Sequence, residues 1–280
     1  GTDFVIRNIR CNPSEVEKDD LFVCTIDSKL DRHNCIEEAI RNGASTIIVS
    51  KDIVDPRVAI IKVPDTNREF PYLCQKFYDF PDKKLKMIGV VGTDGKTSTG
   101  SIIQSLLGIS KTGFIGTMGR SCAAFNDNRT TKNIDAARLY DGLEEFVKFG
   151  CGYAVVESSN SDIASLSLAA LNYDVLVFTN LADEYLDDNE KFIEHFNTMS
   201  SLFSQLKEDG WCILNGDDPY FESVKSVCRG NIVTYGRRDD ATLQIVDYSI
   251  NNSKTLIKFK YNNEEFDVLS SLLGEFNIYN

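Results

Sequence analysis

The stretch that decides the fold is Leu85-Lys-Met-Ile-Gly-Val-Val91, followed directly by Gly92-Thr-Asp-Gly-Lys-Thr-Ser98. The first half is an apolar run of strand length. The second half is a glycine-containing loop that opens an apolar-periodic helix from Ser98 to Leu107. A strand, a tight loop and a helix in this order are the setting of a phosphate-binding loop. The stretch therefore predicts an α/β domain built around a phosphate site.

The loop has the chemistry that a polyphosphate needs. Glycines let successive backbone N–H groups curl around an anion, and a helix N-terminus adds partial positive charge. Lys96 can reach the terminal phosphates, and the hydroxyl of Thr97 can ligate Mg²⁺. The common pattern begins with glycine five residues before Gly95, where this chain has Val90, so only the G-K-T core matches. The alternative is a glycine turn with a solvated lysine. We predict nucleotide contacts from the whole loop: Gly92, Thr93, Asp94, Gly95, Lys96, Thr97 and Ser98.

A second candidate for the metal is Glu157, which follows the predicted strand Tyr153–Val156. A carboxylate at the carboxyl end of a strand, in a sheet that carries a phosphate loop, is well placed to hold Mg²⁺. The alternative is an ordinary capping or exposed glutamate. An acidic run after the strand Asp174–Phe178 is typical of a solvated face when taken alone; it comprises Asp183, Glu184, Asp187 and Asp188.

Strand and helix patterns extend on both sides of the loop. Residues 1–84 alternate short apolar strands with helices, which predicts a small N-terminal α/β domain. Residues 85–280 contain several continuous apolar strands, typical of a mostly parallel sheet covered on both faces. The tail predicts a small antiparallel sheet, with strands at Thr242–Tyr248, Thr255–Tyr261 and Glu265–Ser270. The predicted class is α/β, with a central P-loop domain after the N-terminal one.

Composition narrows the class of protein. The chain has 280 residues, which suggests roughly two domains, and its formal net charge of -12 argues against nonspecific nucleic-acid binding. No apolar run approaches the roughly 18 residues of a membrane span. The eight cysteines form no C-x-x-C pair, and with two histidines a zinc site is not expected. A chain of this size does not need disulfides, so we expect reduced thiols and a cytoplasmic location.

Together the motifs resemble the Mur ligases, the ATP-dependent amide-forming enzymes of peptidoglycan precursor synthesis. Four segments of this chain resemble motifs of the family. Gly92-Thr-Asp-Gly-Lys-Thr97 is similar to G-T-N-G-K-T, and Phe178-Thr-Asn-Leu181 to F-T-N-L. Asn215-Gly-Asp-Asp-Pro219 is similar to N-A-D-D-P, and Gly274-Glu-Phe-Asn-Ile-Tyr-Asn280 to G-x-F-N-x-x-N. Residues 1–84 resemble the MurE type, which adds the third amino acid of the stem peptide. The resembling segments are Asp20-Leu-Phe-Val23, Asp31-Arg-His33 and Ala39-Ile-Arg-Asn-Gly-Ala44, with Thr130-Thr131 further along.

The resemblance implies a function and its residues. Residues 1–84 would bind the UDP portion of a UDP-N-acetylmuramoyl-dipeptide, and residues 85–280 would bind Mg·ATP. The substrate carboxylate would become an acyl phosphate that the amine of an amino acid attacks. Lys96 and Glu157 would be catalytic, with Thr97 and Glu157 on Mg²⁺. Further nucleotide contacts would come from Asn180, Asn277 and Asn280, although the last two also suit polar caps of a terminal helix. Substrate contacts would come from Thr130, Thr131, Ser159 and His33.

Several family positions differ in this chain. The lysine that becomes carbamylated falls at Met199, and a thioether is a poor ligand for Mg²⁺. Two metal-site histidines are replaced by Ser161 and Tyr185, and the proline of T-T-P is Lys132. The D-S-R that helps to hold the uridine nucleotide aligns with Asn12-Pro-Ser14. These differences look like relaxed or redirected chemistry.

Two hypotheses follow, together with a weaker third. The first is an ATP-dependent ligase whose third, C-terminal domain is absent from this sequence. The second is a catalytically degenerate Mur-like protein that binds a nucleotide or serves a partner. The third, an unrelated P-loop kinase or GTPase, leaves residues 1–84 and the helix of Asn277 and Asn280 unexplained.

Overall fold

The computed structural model describes residues 5–128, 133–181 and 189–280. Residues up to 84 form a four-stranded, entirely parallel sheet in the order β1-β2-β3-β4. Its elements are β1 (Ile9–Arg10), β2 (Leu21–Val23), α1 (Ile36–Asn42), β3 (Thr46–Val49), β4 (Ala59–Lys62) and α2 (Thr66–Phe77). Gly43 ends α1 with a left-handed φ of 116°, and Asp65 caps α2 by accepting from two backbone N–H groups.

The remaining strands form one eleven-stranded sheet in the order β15-β14-β13-β12-β11-β10-β5-β9-β6-β7-β8. They are β5 (Lys86–Val91), β6 (Thr112–Gly116), β7 (Gly119–Cys122), β8 (Phe125–Asp127), β9 (Tyr153–Ser158), β10 (Tyr173–Phe178), β11 (Leu206–Asn215), β12 (Asn231–Gly236), β13 (Leu243–Ile250), β14 (Thr255–Tyr261) and β15 (Glu264–Ser270). The helices are α3 (Lys96–Leu107), α4 (Ala136–Lys148), α5 (Asn160–Ala164), α6 (Asn189–Ser201), α7 (Phe221–Val227) and α8 (Phe276–Tyr279).

The predicted α/β class is confirmed. The strands from β13 through β12, β11, β10, β5 and β9 to β6 are parallel. The predicted antiparallel strands of the tail are β13, β14 and β15. They do not form a separate sheet, because β13 continues the large one through two residue pairs with β12, Tyr235 with Leu243 and Gly236 with Gln244.

The strand β6 was not expected from the sequence, because it is short and contains two glycines. The structure shows why glycine is needed at Gly113. A Cβ there would lie 2.2 Å from the ring of Phe146 on α4, so the helix can pack against this strand only where no side chain stands. β6 brings the following residue, Thr117, next to β9, which matters for the site below.

Helix α2 joins the two sheets. Phe70, Cys74 and Tyr78 of this helix region belong to the same buried cluster as Leu139 and Leu143 of α4. The side-chain amide of Gln75 donates to Asp82 Oδ2 at 2.9 Å and to the carbonyl of Ala170 at 3.0 Å. The two separate sheets support a division into residues 1–84 and 85–280, which remains a proposal. The shared hydrophobic core makes the contact between these two parts extensive.

An apolar groove of about 730 Å³ runs between α3 and the antiparallel strands. Its walls include Ile103 and Leu106 of α3, Val177 of β10, and Phe266 and Val268 of β15. Leu106 is 81% exposed, and Phe266 and Val268 are 45% and 39% exposed. Among the helices of the described residues, none is long and apolar enough to cross a membrane.

Candidate functional site

The phosphate loop lies between the end of β5 at Val91 and the start of α3 at Lys96. Gly92 and Gly95 have φ values of 143° and 78°, which side chains rarely adopt. A Cβ on Gly92 would lie 2.2 Å from Thr179 Oγ1, and one on Gly95 would lie 2.3 Å from Asn280 Oδ1. Conformation therefore requires glycine at both positions, and at Gly92 the backbone oxygen of Asn180, 2.7 Å from the same Cβ position, excludes a side chain as well.

The segment after β10 holds this loop in shape. The backbone N–H of Thr93 donates to the carbonyl of Asn180 at 2.8 Å, and that of Asp94 donates to Asn180 Oδ1 at 2.9 Å. In return, the Asn180 amide and the Thr179 hydroxyl donate to the carbonyl of Asp94 at 3.0 and 2.7 Å. Asn180 was predicted to contact the nucleotide, which stays a prediction; its side chain hydrogen-bonds the loop, and the residue also lines the cavity described below.

Two side chains at the start of α3 make polar contacts that bear on the predicted phosphate site. The Nζ of Lys96 donates to the carbonyl of Thr93 at 2.6 Å, so its ammonium lies over its own loop. The hydroxyl of Thr97 donates to Glu157 Oε1 at 2.9 Å, which brings together the two residues predicted to hold the metal. This contact joins α3 to β9, 60 residues apart in the sequence.

Glu157 is only 5% exposed and lies within β9, which runs past the predicted end of that strand. Its Oε2 also accepts the backbone N–H of Thr117 at 3.1 Å. Sequence reasoning missed Thr117, because its place beside Glu157 depends on the pairing of β6 with β9. Within the described residues no cluster of three or more His, Cys, Asp or Glu side chains could hold a metal. Hard oxygens from Thr97 and Glu157 suit Mg²⁺, which usually takes its other ligands from phosphate and water.

A cavity of about 600 Å³ opens beside the loop. It is lined by the loop, the ends of β10 and β11, and the region of α8: Asp94, Gly95, Ser98, Thr179, Asn180, Asn215, Asp217, Asp218, Pro219, Tyr235, Phe276, Tyr279 and Asn280. Sequence reasoning did not assign Asp217, Phe276 or Tyr279, although all three lie in the quoted motifs, because a motif does not show which of its side chains face a shared space.

The two asparagines near α8 that were predicted to contact the nucleotide differ in their surroundings. Asn280 lines both the cavity and the apolar groove, and its Oδ1 accepts from the Thr99 hydroxyl at 3.4 Å. Asn277 lines the groove and is not among the residues that line the cavity. Its Nδ2 donates to the carbonyl of Leu273 and its Oδ1 accepts from Asn280 Nδ2, both at 2.8 Å. Asn277 therefore positions Asn280.

The predicted substrate contacts lie in three different parts of the chain: His33 lies in residues 1–84, Ser159 follows β9 at the sheet edge that carries the loop, and Thr130 and Thr131 lie outside the described residues. His33 is buried, with Nδ1 2.6 Å from Asp31 Oδ1 and Nε2 accepting the N–H of Ser50 at 2.9 Å. Its ring is thus fully used within residues 1–84. Ser159 caps α5 in a reciprocal pair with Asp162.

Three of the substituted family positions can be placed. Met199 is 2% exposed and packs in the main hydrophobic core. The hydroxyl of Ser161 donates to Asn133 Oδ1 at 2.8 Å, which ties the start of α5 to the chain before α4. Asn12 caps the turn at Pro13–Glu15 through its own side chain. Tyr185 and Lys132 lie outside the described residues.

Comparison with known proteins shows to which family the chain is similar. The sequence model of the Mur ligase middle domain matches residues 90–280. UDP-N-acetylmuramoyl-L-alanyl-D-glutamate--2,6-diaminopimelate ligase of Aquifex aeolicus is 29% identical over 279 residues, which is 98% of this chain and 57% of the relative. The ligase of the same name from Fusobacterium nucleatum is 32% identical, over 97% of this chain and 56% of its own length. The chain thus spans a little over half of these relatives.

Solved structures show the same fold. A UDP-N-acetylmuramoyl-L-alanyl-D-glutamate--2,6-diaminopimelate ligase matches with a TM-score of 0.80 at 22% identity, over 98% of this chain and 57% of that chain. MurF ligase from Thermotoga maritima in complex with ADP matches with a TM-score of 0.62 at 22% identity, over 100% of this chain and 62% of that chain.

Proposed function

This chain belongs to the Mur ligase family, whose middle domain it matches over residues 90–280, and on that premise we propose that it is the nucleotide-binding part of an ATP-dependent amide ligase. The substrate would be a UDP-N-acetylmuramoyl-peptide of peptidoglycan precursor synthesis, and the second substrate an amino acid. The observation that carries the proposal is the loop after β5, where the Thr97 hydroxyl contacts the buried carboxylate of Glu157.

The proposed chemistry has two steps. A carboxylate oxygen of the peptide attacks the γ-phosphorus of ATP, and the bond to the β-phosphate oxygen breaks to release ADP. The amine nitrogen then attacks the acyl carbon, phosphate leaves, and the nitrogen loses a proton. In both steps the protein has to hold the reactants and stabilise negative charge.

Each residue of the site suits a part of this task. The backbone N–H groups of the loop and the start of α3 would bind the phosphates. The ammonium of Lys96 would leave the Thr93 carbonyl for the transferred phosphoryl group, where charge develops. Thr97 and Glu157 would hold Mg²⁺, which neutralises phosphate charge when it is bound.

The eight free cysteines agree with a cytoplasmic location, where ATP is available.

The nucleotide part is tested by calorimetric titration with a non-hydrolysable ATP analogue and Mg²⁺. We expect the chain to bind and Lys96→Ala to lose affinity by roughly tenfold or more, because a charge-assisted contact to phosphate disappears. The matched control is Lys111→Ala, an exposed lysine beyond the other end of α3, which should bind as the parent does. Equal affinity in Lys96→Ala would refute the assignment of the loop.

A second candidate function is nucleotide binding without ligation. It is favoured by Met199, which fills the core at the position where the family resemblance places a reactive lysine. Titration with a UDP-N-acetylmuramoyl-dipeptide separates the two candidates. Binding of both the dipeptide and the ATP analogue supports the ligase, whereas binding of the ATP analogue alone supports the second candidate.

A further inference from the structure

Two cysteine thiols meet between β11 and the end of α7, and neither has a part in the chemistry described above. Cys212 lies within β11 and is fully buried, whereas Cys228 directly follows α7 and is half-buried. Cys212 belongs to the main hydrophobic core, and Cys228 packs against that core. The two thiols share a hydrogen bond. The fold therefore brings together two cysteines from different elements.

The backbone around the two cysteines holds them in this arrangement. β11 and β12 are parallel neighbours, and Gly230 lies between Cys228 and the start of β12. A Cβ at Gly230 would lie 2.5 Å from the carbonyl oxygen of Gly210, so this short connection runs directly against β11. The N–H of Gly230 hydrogen-bonds the sulfur of Cys212, and the thiol of Cys228 donates to the carbonyl of Val224 at 3.3 Å. Each sulfur therefore has a backbone partner that fixes its position.

The two thiols differ in the properties that thiol–disulfide exchange needs. Cys228 is the more accessible of the two, so a small molecule meets it first. The hydrogen bond with Cys228 lowers the pKa of Cys212, against the effect of burial, and the same bond raises the pKa of Cys228. The thiolate is the form of cysteine that attacks a disulfide. Cys212 is therefore suited to the second step of an exchange, in which a thiolate attacks a disulfide already formed at Cys228.

We propose that Cys212 and Cys228 are a reversible redox site, which a small-molecule disulfide oxidises and free thiols reduce. In the first step the Cys228 sulfur attacks the small disulfide, gives up its proton and releases one small thiol. In the second step the Cys212 sulfur attacks the sulfur of Cys228, and the second small thiol leaves with the other proton. One disulfide bond forms in the protein and one breaks in the reagent, so two electrons pass from the protein to the reagent. Transient disulfides of this kind occur in proteins of reducing compartments.

The bond closes a loop that contains one wall of the cavity beside the phosphate loop. Residues 213–227 lie between the two cysteines. Among them are residues that line the cavity: Asn215, Asp217, Asp218 and Pro219. A disulfide restricts the unfolded chain and thereby stabilises the folded one. Oxidation therefore fastens this wall at both of its ends and makes the chain harder to unfold.

Peptide mapping by mass spectrometry tests the site. The reduced chain is incubated with glutathione disulfide, the remaining thiols are blocked, and the chain is digested with trypsin. Cleavage after Lys207, Lys225 and Arg229 places the two cysteines in peptides 208–225 and 226–229. We expect a disulfide to join these two peptides and dithiothreitol to separate them. Recovery of Cys228 only as a mixed disulfide with glutathione, or of both cysteines as thiols, would overturn the proposal.

A second pair of cysteines provides a comparison within the same digest. Cys122 and Cys151 also share a hydrogen bond, but their exposed fractions are only 7% and 8%. Because neither thiol is open to a small molecule, this pair should stay reduced under the conditions that oxidise Cys212 and Cys228. A disulfide between Cys122 and Cys151, with Cys212 and Cys228 still reduced, would contradict the role given to the accessible Cys228.

Urea denaturation followed by the fluorescence of Trp211 measures the consequence. Oxidation should raise the midpoint of the parent by roughly 1 M and leave that of Cys228→Ser unchanged. Equal midpoints of the reduced parent and the reduced variant show that the variant is folded.

The matched control is Cys35→Ser, which changes a half-buried cysteine before α1 and should keep the full rise. A rise that persists in Cys228→Ser would assign the effect to other cysteines and overturn the proposal. These measurements need no bound nucleotide, so their outcome is independent of the proposed function.

Discussion

Glu157 on β9 connects the start of α3 and the residue after β6 through individual hydrogen bonds. A point substitution at Glu157 can change these hydrogen bonds. Its two oxygens accept from Thr97 and Thr117, so the carboxylate is oriented before any ligand arrives. A bound cation stabilises a buried, preoriented carboxylate strongly, because a buried charge without a counter-charge is costly in free energy. Under the proposed function, this residue would tie magnesium affinity to the nucleotide.

We expect Glu157→Gln to lose most of the increase in nucleotide affinity that Mg²⁺ gives to the parent chain. The amide keeps an acceptor for Thr97 but removes the negative charge that attracts the cation. Titrations with the ATP analogue in the presence of Mg²⁺ and of EDTA measure this increase. The control is Glu208→Gln, an exposed glutamate on β11. The same magnesium effect in Glu157→Gln and the parent would contradict a metal site here.

At the scale of elements, close packing of helices on strands decides which substitutions the sheet accepts. We expect Gly113→Ala to lower the free energy of unfolding by about 1–3 kcal/mol, because its Cβ would meet the ring of Phe146. Gly152→Ala, where the new Cβ meets no atom within 4 Å, is the control and should be nearly neutral. Urea denaturation of both variants measures the difference. A tolerated Gly113→Ala would mean that α4 can move away from β6.

The turn between α2 and β5 contains a carboxylate with a pH-dependent effect on stability. Burial raises the pKa of Asp82, against the opposing hydrogen bond from Gln75. The ionised form of Asp82 is thus disfavoured in the folded chain. The contribution of Asp82 to the free energy of unfolding is therefore lost as the pH rises from about 4 through the raised pKa. Asp82→Asn removes this loss. The stability of the variant relative to the parent should therefore increase with pH across that window, as urea denaturation at several pH values would show; a constant difference would contradict it.

At the scale of the whole molecule, the core shared by α2 and α4 couples the two sheets. We expect one unfolding transition, with the fluorescence of Trp211 on β11 and far-ultraviolet circular dichroism changing at the same urea concentration. Gln75→Ala should shift both signals together, because it breaks the contacts to Asp82 and Ala170. Two separate midpoints would show that residues 1–84 unfold independently.

The sequence was sufficient for features that are local and insufficient for those that depend on strand order. The loop from Gly92 to Thr97 was predicted in place, because strand, turn and helix signals agree within a few residues. Thr117 beside Glu157 was not, because β6 carries little apolar signal and its pairing with β9 is long-range. Asn277 and Asn280 are equivalent in the motif, and only the folded chain shows that Asn280 lines the cavity as well as the groove, whereas Asn277 lines the groove.

The apolar groove between α3 and β15 has a consequence for the behaviour of the chain in solution. Contiguous exposed apolar surface favours self-association, whereas the net charge of -12 keeps copies of the chain apart. Salt screens the charge over about 10 Å at 0.1 M and leaves the attraction between apolar surfaces in place. The balance therefore shifts with ionic strength, and the chain should remain monomeric most readily in dilute buffer.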